Sequence, residues 1–167
     1  HPARVGPVRV LFLTHRVPYP PNRGDRLRAY HIIRTLLSGG VSVELVSLAH
    51  DADEAAQMQA LREDVHIVGT AVRTSPFRNY ARGVIALPTS VPLTHCLLDS
   101  PDMPGVLRQI VESRPPDVVL AYCSGMARFA LQPPLSQFPV VLDYVDVDSA
   151  KWAALKEVSA WPKRWIF

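Results

Sequence analysis

The sequence predicts an α/β fold: a doubly wound, mainly parallel sheet with helices on both of its faces. Three observations carry that expectation. Continuous apolar runs such as Val8–Thr14 ("VRVLFLT") suit strands covered on both sides, as in a parallel sheet. Stretches with apolar residues at helical spacing fall between those runs. Strand and helix alternate throughout, and right-handed crossovers turn such a chain into one sheet between two helical layers.

The elements follow in order. After the first strand, "RLRAYHIIRTLL" sets Leu27, Tyr30, Ile33, Leu36 and Leu37 on one helical face. Ser38-Gly39-Gly40 ends that helix, glycine being at home in a left-handed cap. Val41–Ala49 is the second strand. "DADEAAQMQALRED" reads as a second helix with acids in its first turn, where the helix dipole favours them. Val65–Gly69 is a short third strand, and Phe77–Leu87 has helical spacing again. A helix from about Pro104 to Ser113 precedes a strand from Asp117 to Tyr122. "SGMARFAL" is a short helix, and "FPVVLDYVDVDS" a last strand leading into "SAKWAALKEVSAW".

The chain has 167 residues, of which 48% are apolar, enough for one domain with a real core. Its net charge is +3, but the charge is unevenly spread. Residues 1–34 hold seven arginines and one acid, Asp25; residues 51–64 hold five acids and one arginine. A basic end of that kind suits an anionic ligand or an anionic membrane. Cys96 and Cys123 make neither a disulfide framework nor a metal set, which fits a reducing cytoplasm. No apolar run reaches the length of a spanning helix. No feature calls for a nucleic-acid partner. The chain stops on "WPKRWIF", as expected of a domain continued by a second one.

The joint after the first strand holds the densest signal. In open α/β sheets ligands bind outside the carboxyl ends of the strands. Pro18, Pro20 and Pro21 stiffen this turn. Gly24 permits close backbone approach, and with Asp25 it opens the helix, whose free N–H groups attract anions. Arg23 and Arg26 add full charge, and His15 follows the strand directly. Together these residues suit a diphosphate or a charged acceptor. The same prolines also fit a purely structural turn in which Asp25 caps the helix. The dinucleotide fingerprint and the Walker A motif are both absent.

"LFLTHRVPYPPNRGDRLRAYHIIRTL" (Leu11–Leu36) resembles the amino-terminal segment of GT-B glycosyltransferases of family 4. It is most similar to bacterial sugar transferases of exopolysaccharide and exosortase-associated (PEP-CTERM) clusters. "VVLDYVDVDSAKW" resembles a second signature of that group. The resemblance implies a retaining transferase of two Rossmann-like domains. Residues 1–167 would be the amino-terminal, acceptor-side domain of that pair. A carboxyl-terminal domain would supply most of the nucleotide-sugar site. The donor is then a nucleotide-sugar used as substrate, with no cofactor, and the acceptor a glycan or a lipid-linked sugar. Gly24 would approach the donor diphosphate when the cleft closes.

Further candidates lie at the last two strands. Asp143, Asp146 and Asp148 crowd the final strand's end. Asp146-Val147-Asp148 is formally the D-x-D of metal-dependent GT-A transferases. We read Asp148 or Ser149 as a helix cap instead. Asp143 or Asp146 is left to accept from a sugar hydroxyl or to orient a basic residue, and no metal is assigned. The family often has a histidine near Tyr122-Cys123-Ser124-Gly125; here there is none, and Tyr122 or Ser124 would supply the hydrogen bond. Cys123 is taken as a packed thiol, His31 as half buried, and His50 and His95 are given no role. The helix at Phe77–Leu87, with Arg73, Arg78 and Arg82, is either an ordinary surface helix or one lying in an anionic membrane interface, which would make the protein peripheral at the inner face. Trp152, Trp161, Trp165 and Phe167 would pack on the second domain, and without it favour self-association. The alternative to a transferase is a non-catalytic Rossmann- or flavodoxin-like module that binds an anionic ligand or a partner.

Overall fold

The computed structural model describes residues 6–86 and 96–144. Asp146, Asp148, Ser149, His95 and the tryptophan-rich carboxyl segment lie outside the described residues. Five strands form one sheet: β1 (Arg9–Thr14), β2 (Ser42–Ala49), β3 (Val68–Arg73), β4 (Val118–Tyr122) and β5 (Val140–Asp143). Their order is β3-β2-β1-β4-β5, and all four pairings are parallel. That is the Rossmann-like, doubly wound arrangement the alternation of elements predicts.

The described residues include the α-helices α1 (Gly24–Ser38), α2 (Ala52–Val65), α3 (Pro76–Ala86), α4 (Met103–Ser113) and α5 (Ser124–Ala130). Side chains alternate across the sheet and build a core on each face. Phe12, Val43, Leu45 and Tyr122 pack with Ala29 and Ile33 of α1 and with Met58 and Leu61 of α2. Leu11, Leu13, Val46 and Val119 pack with Met103, Leu107 and Ile110 of α4 and with Met126 and Phe129 of α5. Both faces of the central strands are therefore dry, which is why their sequences are apolar without a break.

Helix α1 closes in a Schellman turn. The Gly40 N–H donates to the Leu37 carbonyl and Val41 N–H to that of Leu36, with Gly40 at φ +74°. Asp51 caps α2, its side chain accepting from the Glu54 N–H at 2.6 Å.

Three details differ from the sequence reading. The third strand begins at Val68, not Val65, because α2 runs on to Val65 and is stopped by His66 in the left-handed conformation. Val65 and Ile67 are core residues before the strand starts. Leu27 is exposed, because α1 turns Arg26, Ala29 and Ile33 inward, and His31 is exposed rather than half buried. Helix α3 inverts the usual pattern: it buries Asn79 and Gly83 and leaves its large apolar side chains outside.

Candidate functional site

The strand order reverses between β1 and β4, so the crevice outside their carboxyl ends is the topological switch point. The sheet brings His15, which follows β1, beside Tyr122, which ends β4. Their rings stack with centres 5.9 Å apart and planes 10° from parallel. The Tyr122 hydroxyl donates to the backbone carbonyl of Asp25 at 3.2 Å and so ties the start of α1 to β4. The Asp25 carboxylate lies 3.8 Å from His15 Nε2. His50, at the end of β2, donates from Nε2 to the His15 carbonyl at 3.2 Å. His15, Asp25 and Tyr122 are thus one cluster, with His50 bracing it from below.

Burial pushes the His15 imidazole below its ordinary value; Asp25 opposes the shift and Arg16 adds to it. The ring is neutral near pH 7. Its Nδ1 and the Oγ1 of neighbouring Thr14 are buried, with no hydrogen-bond partner among the described residues. Burial pushes the Tyr122 phenol up, against the pull of Arg28. Tyr122 is therefore a neutral hydroxyl, and its hydrogen bond is already spent on the joint.

The four residues of the α1 start separate. Arg23 precedes the helix with extended backbone, offers no side-chain cap, and is exposed. Gly24 is exposed, and a Cβ built on it would meet nothing within 4 Å. No steric demand of the fold asks for glycine there. Asp25 faces His15. Arg26 goes elsewhere: its guanidinium donates to Glu54 at 3.1 Å, to Gln57 at 3.2 Å and to the Tyr19 carbonyl at 3.2 Å. Its side chain is 10% exposed and that of Glu54 3%. Arg26 seals the α1–α2 seam and is not a free cation at the crevice.

A different arginine takes that place. Arg28 reaches across to Asp143 at the end of β5 and donates to both carboxylate oxygens, at 2.9 and 3.0 Å. Asp143 is thus paired with a basic residue of α1. The spacing along α1 carries a signal for Arg28. Residues four apart share a helix face, so Arg28 shares a face with Gly24, whereas Arg26, two away, does not.

Ser124 opens α5 directly after Cys123. Cys123 has φ 75° and ψ 159°, a conformation that glycine adopts freely and other residues only under strain. Its N–H donates to the Asp143 carbonyl at 2.9 Å, which ties the turn after β4 to the end of β5. A Cβ on Gly125 would meet the tip of the Leu98 side chain, which would have to turn aside. Sequence alone gave no sign of this strained residue, because cysteine carries no turn signature.

No protein-family model and no curated protein matches the chain. Among solved structures, it is similar to arylmalonate decarboxylase at 15% identity, over 89% of this chain and 91% of that one, with a TM-score of 0.26. An unliganded arylmalonate decarboxylase structure is also 15% identical, over 81% of this chain and 87% of that one, with a TM-score of 0.28. Likenesses so distant carry no functional argument. The description that stands on the chain's own coordinates is an α/β, Rossmann-like fold with a polar cluster at its switch point.

Proposed function

We propose that this chain is the acceptor-side domain of a retaining glycosyltransferase, which moves a sugar from a nucleotide-sugar to a glycan or lipid-linked acceptor in surface polysaccharide synthesis. The observation that supports it most is Gly24. It lies in the stretch that resembles the family, beside the switch point, exposed and free of any steric need to be glycine. A small residue held open at a helix start suits close approach of a diphosphate to the backbone.

The chain's own residues then divide the work. Arg23 and Arg28 supply positive charge to the departing diphosphate. Asp143 holds Arg28 in place through both oxygens until an anion competes for it. Neutral His15 offers a ring nitrogen to a sugar hydroxyl. Tyr122 holds the α1 start against β4, and Ser124 lies at the next strand end. Catalysis on this account is positioning and charge stabilisation, not covalent chemistry.

The test is Gly24→Val in the transferase that carries this domain, assayed with a panel of nucleotide-sugars and membrane-extracted acceptors. Sugar transfer should fall by about 10²–10³, the cost typical of removing one oriented anion-stabilising donor. Melting temperature should stay within a degree or two, because a Cβ at this position meets nothing within 4 Å and the backbone is not left-handed. Undiminished transfer by Gly24→Val, or no transfer by the unmodified protein with any donor, would refute the proposal.

A further inference from the structure

Helix α3 follows β3 at the carboxyl end of the sheet, the same end that carries the switch point. Its exposed face holds Phe77, Ile85, Tyr80 and Val84, with 89, 73, 69 and 49% of each residue's surface open. Its buried face is Asn79 and Gly83. A helix that packs on a core by its apolar stripe has the opposite arrangement.

The inversion is anchored. Asn79 donates from its amide to the carbonyls of Leu97 and Asp99 at 3.0 and 2.7 Å. The Asp99 carboxylate gathers Arg78 at 3.2 Å, Arg128 at 2.8 Å, and Arg82. Arg128 also lies 4.3 Å over the Phe129 ring, on the body of the domain. The apolar face is thus held outward by a polar underside, rather than left over from poor packing.

The charge around this face names its occupant. Residues 73–86 contain Arg73, Arg78 and Arg82 and no acid. Asp99 offsets one of the four arginines in the neighbourhood, Arg128 included, and Arg73 is exposed. Aromatic and branched side chains on one side, arginines at the flanks and modest length fit the interface of an anionic bilayer. We propose that α3 docks the protein on an anionic lipid surface, inserting Phe77, Tyr80, Val84 and Ile85 among the acyl chains with Arg73, Arg78 and Arg82 at headgroup level. Among the described residues no helix is long and apolar enough to cross a membrane. This inference stands apart from sugar transfer, and its test measures no transfer.

The chain is sedimented with vesicles of phosphatidylcholine and phosphatidylglycerol in equal parts, and with pure phosphatidylcholine vesicles. Binding is expected to the mixed vesicles and to be weak on the neutral ones. The double variant Phe77→Ser/Ile85→Ser should partition at least about tenfold less, since burying one such side chain is worth roughly a factor of ten. Both residues are so exposed that the variant should melt like the wild type. Arg73→Gln should weaken only the anionic component. Absent wild-type binding, equal binding to neutral vesicles, or binding untouched by the double variant would overturn the proposal. So would a dimer in the vesicle-free protein that the double variant dissolves, because the face would then belong to a second copy.

Discussion

Arg26 and Arg28 leave the same turn of α1 and meet opposite halves of the molecule. Arg26 enters the α1–α2 seam, where Glu54, Gln57 and the Tyr19 carbonyl take up its donors in a nearly dry setting. Arg28 crosses the crevice to Asp143 and keeps 53% of its side chain in water. By sequence the two are alike, basic residues early in a helix after a proline-rich turn. What separates them is helical phase. One angular position points into the core that β2 and α2 build, and the other points over the ends of β4 and β5. A charge in the seam is structural, and a charge over the crevice is available to a ligand.

Breaking each arginine in turn sharpens this contrast. Arg26→Ala strands the Glu54 carboxylate in the seam and should cost about 3–5 kcal/mol of unfolding free energy. The His50 N–H, which donates to the other Glu54 oxygen at 2.9 Å, leaves part of that charge satisfied, so the lower end is expected. A urea midpoint shift of that size, at unchanged slope, is the reading that checks it. Arg28→Ala should cost less than about 1 kcal/mol, as exposed ion pairs do, and should impair anion binding instead. Equal stability losses in the two variants would erase the distinction.

The smallest signal is a slope with pH. Burial holds the folded His15 below its ordinary value near 6.5, so the folded chain binds fewer protons there than the unfolded one. Its contribution to stability is complete above about pH 6.5 and drains away as pH falls through the lowered folded value. Against the wild type, His15→Gln should flatten the unfolding free energy as pH falls below about 6.5. An identical slope in the variant would place His15 in solvent.

How much of this could be read beforehand follows from which physics acts locally. The parallel sheet was legible because strands dry on both faces must be apolar in every residue, as Leu11, Phe12 and Leu13 are. The end of α1 was legible because Gly39-Gly40 has few other uses. The bounds of β3 were not, since Val65 and Ile67 are core residues whether they end a helix or begin a strand. At the site, the joint was found by composition, but its inner division was not. Choosing Arg28 over Arg26 needs the phase of α1 against a neighbour distant in sequence. The strained backbone of Cys123 depends on how β4 meets α5 and β5, which no single residue encodes. The outward apolar face of α3 was open to two readings, because a moment shows that a helix has two faces and not which one is covered.

The central claim is that the crevice outside β1, β4 and β5 receives a diphosphate-bearing ligand at the start of α1. It is tested most directly by titrating a nucleoside diphosphate into the isotopically labelled transferase that carries this domain and following the domain's backbone amides. The account predicts saturable shifts at Gly24, Asp25, Cys123 and Ser124 and at the Arg28 guanidinium as it exchanges Asp143 for phosphate, with Arg26 and the α1–α2 seam unmoved. Shifts confined to other surfaces, such as the arginines around Asp99, or no saturable shift at Gly24, would contradict it.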